Sequence, residues 1–308
     1  MSTAEAAPVS APVPGTAQHG AFPGGAVQRG AVRPWLRLLR SELSLVFRRW
    51  RNRALLAVVV AIPILLGVAL RVAVPHGGGG GGSGIGAAFL VQVAGNGVFL
   101  AFLSLTIMLT LVLPLVVAVV SGDSLAGEAN IGTLRYLLAV PAGRARLLSV
   151  KYAAVVIFAL AACLLVAISA LIMGAILFPI GPVTLLSGNT VPLAEGLLKL
   201  LFVVLYVTAG MAMLGAIGMA ISSFTEHPIG AIAAILILAV ASEVCDNIPQ
   251  FAAVGPYLPT HWWLSFDSLL RSPIDATELL HGLLSFGVYI VIFGSIAWAR
   301  FTSADITS

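Results

Sequence analysis

The chain has 308 residues, of which 59% are hydrophobic and 9% charged, and a mean hydropathy of +1.06. A soluble domain carries about 25% charged residues, so the composition excludes an ordinary water-soluble globule and places the chain in a membrane. The net charge of +4 does not point to nucleic acid, because the basic residues stand beside apolar runs, where they set topology.

Residues 1–30 are rich in Ala, Pro and Gly and hold almost no large apolar side chain. Such a stretch cannot bury a core, and residues 1–33 are expected to form a disordered cytoplasmic tail. A signal peptide is not expected, since no basic start leads into an apolar run. Over 34–53 the pattern changes. Trp35, Leu39, Leu43, Val46 and Trp50 recur at three- and four-residue steps, and Arg37, Arg40, Ser44, Arg48 and Arg51 take the other side. This predicts an amphipathic helix opened by Pro34 and lying in the headgroup layer.

Six apolar segments follow, at 54–74, 98–120, 153–178, 197–221, 228–244 and 279–298. About 20 residues cross a bilayer core, so each suffices, 228–244 only just. Pro63 and Pro114 are expected to kink the first two. The predicted fold is an all-α integral membrane protein of six spans over 34–301, with a short cytoplasmic tail at 302–308. With the N-terminus in the cytoplasm, thirteen of the sixteen Lys and Arg lie inside, and Arg71, Lys199 and Arg271 lie outside. The reverse orientation would invert that bias, so both termini are expected in the cytoplasm and the chain in the plasma (inner) membrane.

The outer connections differ in character. Residues 75–96 include the glycine run 77–82 and read as a flexible tether; a GxSG match at 81–84 falls among those glycines and is read as chance. Residues 181–196 are a short connector. The last, 245–278, carries Phe251, Tyr257, Trp262, Trp263 and Phe266. That suits backbone re-entering the membrane or an aromatic anchor in the interface.

Catalytic patterns are missing. Lys151 follows Val150 and Lys199 follows Leu198, so no GxxxxGK phosphate cradle exists and the chain is not expected to hydrolyse ATP. No HExxH occurs, no metal site is expected, and Glu226 with His227 reads as a solvated turn. Cys163 and Cys245 do not make a disulfide framework. Glu243 and Asp246, near the end of the fifth segment, are candidates for substrate or ion contact; the alternative is that they simply reach water. Thr208, Ala212, Ala216 and Ala220 step by four along the fourth segment and let helices approach closely, inside one subunit or at a dimer seam.

The stretch 120–152 is the polar interruption with most charges of both signs. Its run GDSLAGEANIGTLRYLLAVPAGRARLLSVKY resembles the cytoplasmic loop of ABC type-2 permeases. The matching features are Asp123 and Glu128, then Gly132-Thr133-Leu134, Pro141, Arg144 with Arg146, and Lys151. The six-span count, the N-terminal amphipathic helix and the run Pro259-Thr260-His261-Trp262 are similar too, so the resemblance covers about 34–301. It implies a half-channel that pairs with a second permease and docks a separate ATP-binding subunit through a coupling helix in this loop. The chain itself would need no cofactor, ATP and Mg being held by that subunit. Ile131, Leu134 and Leu138 can share one helix face as an apolar ridge, rimmed by Glu128, Arg135, Arg144 and Arg146. The last outer loop would close the exit, which makes Pro259, His261, Trp262, Trp263 and Phe266 gate candidates. The expected function is the permease of an exporter for a small amphiphilic or drug-like substrate. The alternative is an ATP-independent secondary transporter or channel, which would need charged residues near the bilayer midplane.

Overall fold

The structure, a computed structural model, describes residues 32–73, 96–130, 144–184, 189–271 and 275–303. Helix α1 (Val32–Arg48) turns at Arg49 into α2 (Trp50–Ala73). Then come α3 (Phe99–Thr110), α4 (Val112–Asn130), α5 (Arg144–Leu177), α6 (Leu193–Ser222), α7 (Pro228–Asp246) and α8 (Ala276–Ser303). Between α5 and α6 an antiparallel ribbon pairs β1 (Val183–Thr184) with β2 (Thr190–Val191). Among the described residues six helices, α2 and α4 to α8, are long and apolar enough to cross a membrane, and α3 is apolar but shorter. The fold is therefore that of an all-α integral membrane protein.

Helix α6 is the centre of the bundle. It packs on α4, α5, α7 and α8, and its Val203, Val207, Met211, Leu214 and Ile217 are buried. The outer helices turn apolar side chains outward instead, as Leu65, Ile237 and Val291 do, which suits a hydrocarbon solvent. The small residues of α6 set how close its neighbours come. A side chain on Gly218 would run into Ser121 of α4, and one on Gly215 into Val155 of α5. Thr208, Ala212, Ala216 and Ala220 are all buried within the chain. At the far end of the bundle Gly97 and Gly174 bring two backbones together, since a Cβ on either would overlap the other's carbonyl.

Three boundaries depart from expectation. The second apolar segment is two helices, broken at Leu111 (φ −142°, ψ −45°). Pro114 has no N–H for the Thr110 carbonyl and its ring crowds that position; the next donor, Leu115 N–H, bonds the Leu111 carbonyl at 3.0 Å. Pro63, by contrast, sits inside an unbroken α2. The polar stretch 120–152, expected as a loop, is helical at both ends, because α4 runs on to Asn130 and α5 begins at Arg144. Hydropathy marks where apolar side chains stop, not where backbone bonding stops. Trp50, expected on the apolar face of α1, belongs to α2 and is 78% exposed. The turn at Arg49 separates it from Trp35, Leu39 and Leu43, which pack near Val150 and Ala154 of α5.

Candidate functional site

The charged residues gather at the two ends of the bundle. At the end carrying α1, called the basic end here, charges from four helices meet. Asp123 of α4 is paired with Arg49 and, at 3.0 Å, with Arg51. Lys151 of α5 is 3% exposed. It pairs with Glu128 of α4 and, at 3.5 Å, with Glu42 of α1. A buried ammonium of this kind persists only where carboxylates compensate its lost hydration. Glu42, Arg49, Asp123, Glu128 and Lys151 border a cavity of about 40 Å³ together with Asn52 and Ser124. Ser222, the last residue of α6, fastens that helix to α4 as well. Its hydroxyl donates to the Gly122 carbonyl (2.8 Å) and accepts from the Ala126 N–H (2.9 Å).

Asp123 is thus turned toward the α1–α2 turn and the start of α2, and Glu128 toward α5. Arg146 is partly buried in the first turn of α5, where Arg144 begins the helix. Ile131, Gly132, Thr133, Leu134, Arg135, Leu138 and Pro141 lie outside the described residues. Sequence reasoning missed Glu42, Arg49 and Arg51 as members of this cluster, reading the arginines as headgroup and topology charges. One signal was available: Glu42 is the single acidic residue within 34–53.

The opposite end is built around a short helix. At about 1.5 Å per residue, the 30 residues of α6 span about 45 Å, and the 19 of α7 about 28 Å. The two are joined by a tight turn at the basic end, so α7 stops well below the start of α6. The chain fills that gap with three 3₁₀ turns, Pro249–Phe251, Gly255–Tyr257 and Ser265–Leu270. Pro249, Pro256 and Pro259 remove backbone donors there and prevent a regular α-helix.

Polar latches hold this cap. Asp246 Oδ1 and His261 Nδ1 are 2.6 Å apart, and the Ser242 and Thr260 hydroxyls 2.7 Å. Tyr206 of α6 donates to the Trp262 carbonyl (2.8 Å), Tyr289 of α8 to the Tyr257 carbonyl (2.6 Å), and Lys199 to the Leu269 carbonyl (2.9 Å). Tyr206 and Tyr289 each stand thirteen residues inside their helix, so the cap reaches far down between α6 and α8. Trp263 lies buried over Gly210, and Phe266 and Pro259 are buried too. Trp262 bonds the Pro256 carbonyl (3.0 Å) and sits between the rings of His261 and His281. Glu243 lies beside Asp246 and Thr260.

Two sets of residues that the sequence kept apart are therefore one cluster: Glu243 and Asp246 at the end of α7, and the gate candidates Pro259 to Phe266. Ser242, Tyr206, Lys199 and Tyr289 complete it and carried no sequence signal beyond being polar in apolar runs. Among the described residues no group of three or more His, Cys, Asp or Glu could hold a metal ion.

The sequence model of a family described as ABC-2 family transporter protein matches residues 51–242. No curated protein matches the chain. The matched region takes in α2 to most of α7, with Asp123, Glu128, Lys151 and the central helix α6, and ends before the cap. It covers more than half of a chain whose helices are those of a six-span membrane protein. The chain belongs to the ABC-2 family of transporter proteins and is a membrane permease component, not the ATPase, of an ABC transporter.

Proposed function

We propose that the chain is the membrane subunit of an ATP-driven exporter, driven by a separate ATP-binding subunit that docks on residues 131–143 and holds ATP and Mg. It works paired with a second permease subunit, identical or related, in the plasma membrane with both termini in the cytoplasm. Its substrate is a small amphiphilic or drug-like molecule. The observation that supports this reading most is the basic end. The helices that lead into and out of 131–143 are fastened to each other and to α1 by the Lys151–Glu128–Glu42 and Asp123–Arg49–Arg51 pairs. A displacement of that segment would move α1, α4 and α5 together, and Ser222 would pass it to α6.

In this reading Ile131, Leu134 and Leu138 form the docking ridge, with Gly132, Thr133 and Pro141 shaping it and Arg135, Arg144 and Arg146 at its rim. Asp123 and Glu128 act one step inward, as transmission rather than rim. The cap at the opposite end is the exit gate, re-entrant between α6 and α8, and the Asp246–His261 contact is its latch. Burying Leu134 in a partner groove would contribute about 1.5–3 kcal/mol, and an exposed rim pair at most about 1 kcal/mol. Leu134→Asp is therefore expected to abolish co-purification of the ATP-binding subunit while the permease still inserts. Glu128→Ala should leave the complex assembled and weaken transport-linked ATP hydrolysis. Full binding and transport by Leu134→Asp would remove the docking role from this segment.

A further inference from the structure

Helix α1 has two unlike sides. Its apolar side is taken up by α5. Leu39 packs near Val150 and Ala154, the Phe47 and Phe158 rings lie 5.1 Å apart, and the Trp35 indole donates to the Ser149 hydroxyl at 3.3 Å. The other side is basic and open. At about 100° per residue, Arg37, Arg40, Ser41, Ser44 and Arg48 fall within one arc of about 100°, and all five are exposed. Leu36 and Leu45, at the two borders of that arc, are exposed as well.

Trp50 and Arg53 continue the pattern in the first turn of α2. They head an exposed stripe that runs on through Ala57, Leu65, Val68 and Val72, the side of this span that meets hydrocarbon. A Trp and an Arg at the head of such a stripe lie at the level of the headgroups, and α1 joins α2 at the adjoining turn. Among the described residues Arg37, Arg40, Arg48 and Arg53 make no ion pair, whereas Asp123 holds Arg49 and Arg51. Four cations without a carboxylate, next to a membrane span, fit an anionic lipid surface. A soluble partner could cover the arginines, but not the lipid-facing stripe that Trp50 and Arg53 begin.

We propose that the arginine face of α1, together with Trp50 and Arg53, is a docking surface for the headgroups of anionic phospholipids in the adjoining leaflet. Glu42 of the same helix reaches Lys151 at 3.5 Å. The pull of the leaflet on α1 therefore bears on the charge cluster, and the charge of the membrane tunes how firmly α1 is held to α5.

The full chain, extracted in mild detergent from vesicles of equal phosphatidylglycerol and phosphatidylcholine, provides the test, with co-purifying lipids counted by mass spectrometry. The unaltered chain should retain phosphatidylglycerol with a preference of at least about fivefold, the effect of one basic residue at an anionic surface. Extraction in about 1 M salt, which screens charges beyond about 3 Å, should weaken that preference. Arg37→Gln, Arg40→Gln, Arg48→Gln and Arg53→Gln together should remove it, and lysine at the same four positions should keep it. Arg37→Gln with Arg40→Gln alone should lower it partway, and stands in should the fourfold change impair folding. Arg271→Gln with Arg300→Gln, which removes charge away from α1, should leave it in place. Undiminished preference in the glutamine variants, its loss in the lysine or Arg271 and Arg300 variants, or indifference to salt would overturn the proposal. So would a fourfold glutamine chain that keeps its phosphatidylglycerol but no longer co-purifies with an ATP-binding subunit, which would make this face a protein-docking surface.

Discussion

Gly282 and Gly287 lie five residues apart on α8 and face different surroundings. A Cβ on Gly282 would collide with the Tyr206 hydroxyl, the group that holds the Trp262 carbonyl, whereas nothing stands within 4 Å of one on Gly287. Gly282→Ala should therefore cost about 1–3 kcal/mol, as overpacking does. Gly287→Ala should be neutral or stabilise by up to about 1 kcal/mol through helix propensity. Thermal unfolding in detergent separates the two, and equal shifts would mean that Tyr206 is free to move aside. The same contrast holds at the basic end. Lys151→Ala leaves Glu42 and Glu128 facing each other without their cation and should cost about 3–5 kcal/mol. Arg51→Ala, at a half-exposed arginine whose neighbour Arg49 still holds Asp123, should cost at most about 1 kcal/mol. In the sequence Lys151 was visible as a motif position. Its burial was not, because burial depends on α1 folding back from 109 residues away to bring Glu42 within reach.

At the scale of elements, the shortness of α7 decides what the opposite end looks like. A helix that stops short leaves a gap, and three prolines turn the chain into it. The latches then carry the cap's order. Asp246→Asn keeps the side chain's size and removes its charge, so hydrogen–deuterium exchange should rise across 249–270 and stay unchanged in α6. Unaltered exchange in the cap would show that Tyr206, Tyr289 and Lys199 suffice without the Asp246–His261 contact. The six spans were legible because about 20 apolar residues in a row have few other uses. Their ends were not. Asp123, Glu128, Arg146 and Lys151 read as loop residues, yet they extend α4 and α5 because each helix bonds its own backbone and the charges find partners across it. The break at Leu111 was half legible: Pro114 announced a disturbance, and only the missing donor to Thr110 fixed where it falls. The small residues of α6 announced close packing without saying against what, and for Gly215, Gly218 and Gly210 the answer is Val155 of α5, Ser121 of α4 and Trp263 of the cap.

For the molecule as a whole, the account rests on polarity between its ends. Among the described residues eleven of the fourteen Lys and Arg belong to one end, together with the buried charge cluster and both borders of 131–143. The aromatic cap occupies the other. A family of permeases that do not themselves hydrolyse ATP must receive energy from outside the chain, and the account assigns that contact to the basic end. It requires the basic end to face the cytoplasm. The direct measurement is labelling of intact cells with a membrane-impermeant thiol reagent, using single cysteines in a chain whose Cys163 and Cys245 are replaced by alanine. Ser83→Cys and Ser187→Cys should label from outside, and Glu226→Cys and Ser303→Cys should label only after the cells are opened. Labelling of Glu226→Cys in intact cells, with Ser187→Cys protected, would place the basic end outside and contradict the account.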